Sequence, residues 1–210
     1  MARCYEVVLE IAGDDVRDLR ARACAPAIAK PAGTVPPTVV WFSAPLATRT
    51  VFTWDESAYG LYAAVTAPKP SAALEPDGEI YPALPRVHYT FEDSGFRVRA
   101  GTGAHAEIPN GRYELANGAP VAITAGLVQR AKVNGTDVLS PLNAVVLPPG
   151  FTAEFAPATK LYVWLQRPAA PGTVIAPAPD HAVEVDLGGP SRTIAYRYDP
   201  DGARFVPCKP

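Results

Sequence analysis

Ala131-Lys132-Val133-Asn134-Gly135-Thr136-Asp137-Val138 repeats, with changes, a stretch that stands earlier in the same chain, Ala29-Lys30-Pro31-Ala32-Gly33-Thr34-Val35. Working outward, Val39-Val40 pairs with Val145-Val146, Leu61-Tyr62 with Leu161-Tyr162, and Tyr5-Glu6 with Tyr113-Glu114. Val87-His88-Tyr89-Thr90-Phe91 pairs with Ile194-Ala195-Tyr196-Arg197-Tyr198, and each is followed by an acidic turn, Glu92 to Gly95 and Asp199 to Gly202. The offsets are 102, 106, 100, 108 and 107, in the same order along both halves. A collinear set of this kind is expected from tandem duplication of a unit of about 105 residues, an ordinary domain size. The repeats are placed at 1–103 and 104–210, with the boundary in the small, flexible run Ala100-Gly101-Thr102-Gly103-Ala104.

Composition fits that reading. Apolar residues make up 48% of the chain and charged residues 19%, enough for a packed core. The net charge of −2 provides no field to draw in nucleic acid or an anionic membrane. The 24 prolines, accompanied by 16 glycines, cannot sit inside helices or central strands, so they punctuate short elements. The class expected is all-β, each repeat an immunoglobulin-like or jelly-roll-like sandwich of short strands, the two related by a pseudo-twofold axis. One larger sandwich or barrel completed by both halves is the second architecture. No run approaches a membrane span, and the N-terminal residues carry no leader pattern, so the expected location is cytoplasmic, or external by a leaderless route. Asn134-Gly135-Thr136 reads as a turn rather than a glycosylated acceptor.

Along the first half, Val7, Leu9 and Ile11 alternate as in a strand with one buried face. Val16 to Ala23 fits a helix capped by Asp14 or a strand. Its counterpart near Asn117-Gly118 and Val121-Ala122-Ile123-Thr124 reads as a hairpin, so a strand is expected in both halves. Strands are expected near 38–42, 50–54, 59–65, 86–91 and 96–98, with a long loop over Pro68 to Pro85. The second half gives strands near 113–115, 121–133, 143–147, 152–155, 160–166, 183–186, 192–198 and 204–206, with a second proline-rich loop over Pro168 to Pro179. Tyr162, Trp164 and Gln166 share one strand face and Leu161, Val163 and Leu165 the other, so both faces are expected to be covered.

A screen for chemistry is mostly negative. No phosphate loop, dinucleotide fingerprint, nucleophile elbow or paired-cysteine motif is present. His88, His105 and His181 lack metal-ligand spacing, and the acidic turns offer too few oxygens for calcium, so neither metal nor cofactor is expected. The distinctive cluster is Trp54-Asp55-Glu56-Ser57-Ala58-Tyr59, whose counterpart Phe155 to Thr159 lacks acidic groups. Aromatic faces stack on sugars or ammonium groups and carboxylates accept from hydroxyls, which makes Trp54, Asp55, Glu56 and Tyr59 the candidate ligand contacts. The competing reading packs Trp54 inward beside Phe52, with Asp55 and Glu56 exposed on the loop. The function expected is a non-catalytic binding or assembly module, lectin-like or toxin-associated, taking a carbohydrate or small polar ligand and able to form homo-oligomers. The alternatives are an enzyme with a site between the repeats or in the long loops, with Asp55, Glu56 and His88 as candidate acids and bases, and a structural, inclusion-forming protein.

Cys4, Cys24 and Cys208 are odd in number and have no counterparts in the opposite half. Thiol titration in denaturant without reductant should therefore find three free thiols, and one alone would mean an intramolecular disulfide.

Overall fold

In the stretch Arg49–Asp55 the side chains of Thr50, Phe52 and Trp54 are buried and those between them are partly exposed, the period of a strand with one face inward. The computed structural model describes residues 4–33, 36–93, 95–98, 108–175, 178–189 and 191–208. Thr34, Val35, Ser94, His105 and the expected boundary at 103/104 lie outside the described residues.

The described elements are, in chain order, β1 (Cys4–Glu10), α1 (Gly13–Ala21), β2 (Ala25–Ala29), β3 (Phe42–Ser43), β4 (Arg49–Asp55), β5 (Gly60–Ala64), β6 (Gly78–Ile80), β7 (His88–Glu92) and β8 (Gly95–Val98). They continue with β9 (Tyr113–Asn117), β10 (Ile123–Val133), β11 (Thr136–Pro141), β12 (Val145–Leu147), β13 (Thr152–Phe155), β14 (Lys160–Gln166), β15 (Val183–Asp186), β16 (Thr193–Asp199) and β17 (Arg204–Pro207). The protein is thus mostly β. No helix among the described residues is long and apolar enough to cross a membrane.

Three local expectations are corrected. The loop expected over Pro68 to Pro85 contains β6, and Asn117-Gly118 is not a hairpin turn, since β9 and β10 lie in different sheets. The strand expected over Val16 to Ala23 is the helix α1. Val16 and Leu19 are buried at helical spacing, and Asp14 and Asp15 in the first turn face the positive end of the helix dipole. Arg17, Leu19, Arg20 and Ala21 are good helix formers, and no glycine or proline interrupts them. Backbone reversal follows at Ala23, with φ +52°.

The described strands form three sheets. The largest runs β17-β16-β1-β4-β10-β5-β6, with β11 and β12 also paired to β10; the others run β13-β9-β7-β8 and β15-β14-β2-β3. Each sheet draws strands from both sides of residues 103/104. The order β4-β1-β16-β17 in the large sheet has the same pattern as β13-β9-β7-β8, and β6-β5-β10-β12 the same as β15-β14-β2-β3. In both first quartets the early strand of one half lies parallel to a late strand of the other, Val8 opposite Ala195 and His88 opposite Glu114. The quartets meet where Ala131 pairs with Trp54, and at the corresponding place a single bridge joins Ala32 to Pro157.

The core is aromatic where β1, β4 and the segment before β3 meet. Trp41, Phe42 and Phe52 are fully buried, and Phe42 stacks on Phe52 at 5.2 Å. On β14, Leu161 and Val163 enter the main core while Trp164 packs with Ala27, Ala29 and Val40, so both faces are covered within the chain. Gly126 marks the tightest approach on β10: a Cβ there would lie 2.4 Å from the Asn143 carbonyl oxygen and 2.8 Å from the Tyr62 ring.

Gly126→Ala should therefore destabilise by about 1–3 kcal/mol. Gly13→Ala, where a Cβ meets nothing within 4 Å, should be neutral or slightly stabilising. Denaturant unfolding of the two variants checks the contrast.

Candidate functional site

β4 ends in a turn that the sequence builds locally. The Asp55 carboxylate accepts from the Ser57 amide at 2.9 Å and the Ser57 hydroxyl at 2.6 Å. This is the side-chain turn that aspartate favours. It points Glu56 back toward the interior, with its side chain only 13% exposed. Trp54 and Tyr59 are also buried, at 4% and 2% exposure. The expectation that both loop carboxylates are exposed is corrected for Glu56, because a buried cation lies opposite it.

That cation is Lys30. It stands one residue beyond β2, whose five residues are all buried, and its own exposure is 0%. Nζ donates to Glu56 Oε2, to the Tyr59 hydroxyl and, at 3.2 Å, to Gln129 Oε1. All three ammonium protons thus have acceptors. Glu56 Oε2 also accepts from Trp54 Nε1 at 2.6 Å, and Oε1 from the Tyr59 hydroxyl. Gln129 is fixed in turn: its Nε2 donates to the Asp55 carbonyl at 3.1 Å, and its own carbonyl accepts from Trp41 Nε1 at 3.1 Å. Three rings surround the ammonium, with centroids 4.8 Å (Tyr59), 5.7 Å (Trp54) and 6.0 Å (Trp41) away. Tyr5 stacks on the outer face of Trp54 at 5.5 Å and is itself covered by the Arg192 guanidinium at 4.6 Å.

The electrostatics follow from burial. Loss of hydration lowers the Lys30 pKa to about 8, and the Glu56 charge and hydrogen bond oppose that shift. Burial first, then the Glu56 charge, raises the Tyr59 pKa well above its ordinary value, so its hydroxyl stays protonated. Burial pushes Tyr113, whose ring lies 6.0 Å from that of Tyr59, up to about 12.

The structure therefore brings Trp54, Glu56 and Tyr59 together around Lys30, and places Asp55 differently. Asp55 lines a surface groove of about 250 Å³ between β4 and β10, with Trp54, Tyr81, Arg130, Lys132 and Asp137. Arg130 lies over the Tyr81 ring at 5.2 Å, and Lys132 is 3.9 Å from Asp137. His88 contacts Glu114 across β7 and β9. His181 sits with Cys24 and Tyr198 at another groove.

Sequence reasoning did not find Lys30, Trp41 or Gln129. A signal was present: Lys30 closes the apolar run Ala25-Pro26-Ala27-Ile28-Ala29 and is locked by Pro31, a poor context for a solvated lysine. Lys132, in the similar stretch Ala131-Lys132-Val133, lies between buried Ala131 and Val133 on an alternating strand and is exposed. Comparison with known proteins adds nothing to this geometry: no family model, curated protein or solved structure matches the chain.

Lys30→Met removes the cation and strands the Glu56 carboxylate, which should cost about 3–5 kcal/mol. Adding Glu56→Gln to that variant should recover part of the loss. The double-mutant cycle from denaturant unfolding should therefore be strongly non-additive, and additive losses would show that the pair does not interact.

Proposed function

We propose that the protein is a non-catalytic binding or assembly module that takes a small polar ligand, a carbohydrate by preference, in the groove beside the Trp54–Tyr59 turn. The observation that carries this reading is the chemistry of the groove. Asp55 and Asp137 offer acceptors, Arg130 and Lys132 offer donors, and Tyr81 and the edge of Trp54 offer aromatic surface. The groove surface is mostly apolar with these polar groups at its margin, which suits the apolar face of a sugar ring bordered by hydroxyls that both donate and accept. At about 250 Å³ the groove falls below the roughly 300–1,000 Å³ of drug-sized pockets and fits a ligand of one or two small rings. On this reading Asp55 and Trp54 touch the ligand, while Glu56 and Tyr59 hold the turn from inside through Lys30.

The scaffold proposed is a duplicated unit of about 105 residues, divided at 103/104, each half sandwich-like and related to the other by a pseudo-twofold axis. The matched sequence segments and the matched strand orders support it. Duplication leaves one copy free to keep a site while the other serves as scaffold, in line with the loss of acidic groups at 155–159. The assembly side of the reading draws on Val145, Val146 and Phe151, all exposed within one short stretch.

A glycan array followed by titration of the best hit is the test. Asp55→Asn keeps an acceptor for Ser57, and Lys132→Ala alters only an exposed side chain, so both should fold normally. Each should weaken binding by about 1–3 kcal/mol. Unchanged affinity in both variants would remove the groove as the site.

A further inference from the structure

We propose that Lys30 and Gln129 join in an intramolecular amide: Lys30 Nζ attacks Gln129 Cδ, the Cδ–Nε2 bond breaks, and the nitrogen leaves as ammonia. The structure places the two groups side by side. Nζ stands 3.2 Å from Gln129 Oε1, the oxygen bonded to Cδ, so the amine and the carboxamide it would attack are direct neighbours held by the surrounding network. Both side chains are fully buried, with Lys30 and Gln129 each at 0% exposure. Such a site excludes the water that would compete for the carbonyl.

The site also contains a proton carrier. Glu56 contacts Nζ through one oxygen and the Tyr59 hydroxyl through the other, and Tyr59 lies beside the Gln129 side chain. A lysine with its pKa lowered toward neutrality by burial yields its proton to such a carboxylate more readily than a solvated one. The Nζ lone pair forms the new bond, and the electrons of the Cδ–Nε2 bond depart with Nε2. Two protons leave Nζ and two reach the departing nitrogen, both by way of Glu56, which ends as it began. The sum is an ammonium plus a carboxamide giving a secondary amide plus an ammonium ion, with no oxidant, metal or cofactor. Gln129 Nε2 points at the Asp55 carbonyl, at 3.1 Å, and Asp55 also lines the surface groove, so that is the side toward which the ammonia departs. The bond would clamp the end of β2 to β10, joining residues from either side of 103/104.

The test is the intact mass of the purified full-length protein under denaturing conditions, followed by tryptic mapping. Trypsin leaves residues 23–49, because Lys30 is followed by Pro31, and residues 113–130. The expected result is a mass below the sequence value by one ammonia, about 17 Da, with 23–49 and 113–130 recovered as a single branched species linked at Lys30 and Gln129. Gln129→Met should restore the full mass, and Glu56→Gln should leave most of the protein unjoined. The wild-type measurement stands by itself if either variant fails to fold. A full wild-type mass, or a deficit with the two peptides recovered separately, as a succinimide at Asn117-Gly118 or Asn134-Gly135 would give, overturns the proposal.

Discussion

An ammonium group stripped of water is tolerated only where every proton has an acceptor and a counter-charge lies nearby. Lys30 meets that demand with three acceptors drawn from separate parts of the chain: Glu56 and Tyr59 from the β4–β5 turn, and Gln129 from β10. The demand runs outward from there. Glu56 must be turned in, which requires the Asp55–Ser57 turn; Gln129 must be held, which requires the Asp55 carbonyl; and the rings of Trp41, Trp54 and Tyr59 must close over the cation. A change to one partner is therefore felt by the others, since a half-satisfied buried network costs more than none.

The same contacts bind the two halves of the chain. β4 and the turn after it come from the first half, and β10 from the second, and they are neighbours because Trp54 pairs with Ala131. The parallel pairings of β1 with β16 and of β7 with β9 carry the exchange further. A parallel pair needs a long connection, and β1 and β16 lie at opposite ends of the sequence. Assembly of this kind closes long loops before their contacts form, which favours slow folding.

Much of the fold was legible as local pattern. The alternation in 49–55, the apolar run in 60–64 and the Tyr113–Leu115 and Arg192–Tyr198 segments mark strands because side-chain period is a local property. The inward packing of Trp54 beside Phe52 is legible for the same reason. The helix α1 was obscured by comparison with the segment near Asn117-Gly118, which forms no helix. The parallel exchange was not legible, since nothing in a strand's own residues names its partner half. At the site, the aromatic and acidic residues of the Trp54–Tyr59 turn suit an ammonium or a sugar. The occupant of their inner side is the chain's own ammonium, from a lysine 26 positions from Glu56. Ala29-Lys30 and Ala131-Lys132 look alike in sequence and differ entirely in burial, because β2 is covered on both faces and the end of β10 on one.

Amine-reactive labelling of the native protein, read by peptide mapping, tests the sealed Lys30 site most directly. Lys69 and Lys132, both exposed, should be modified quickly, while Lys30, in residues 23–49, should remain unmodified as long as the fold holds. Modification of Lys30 in the native protein at a rate similar to that of Lys69 would contradict the account.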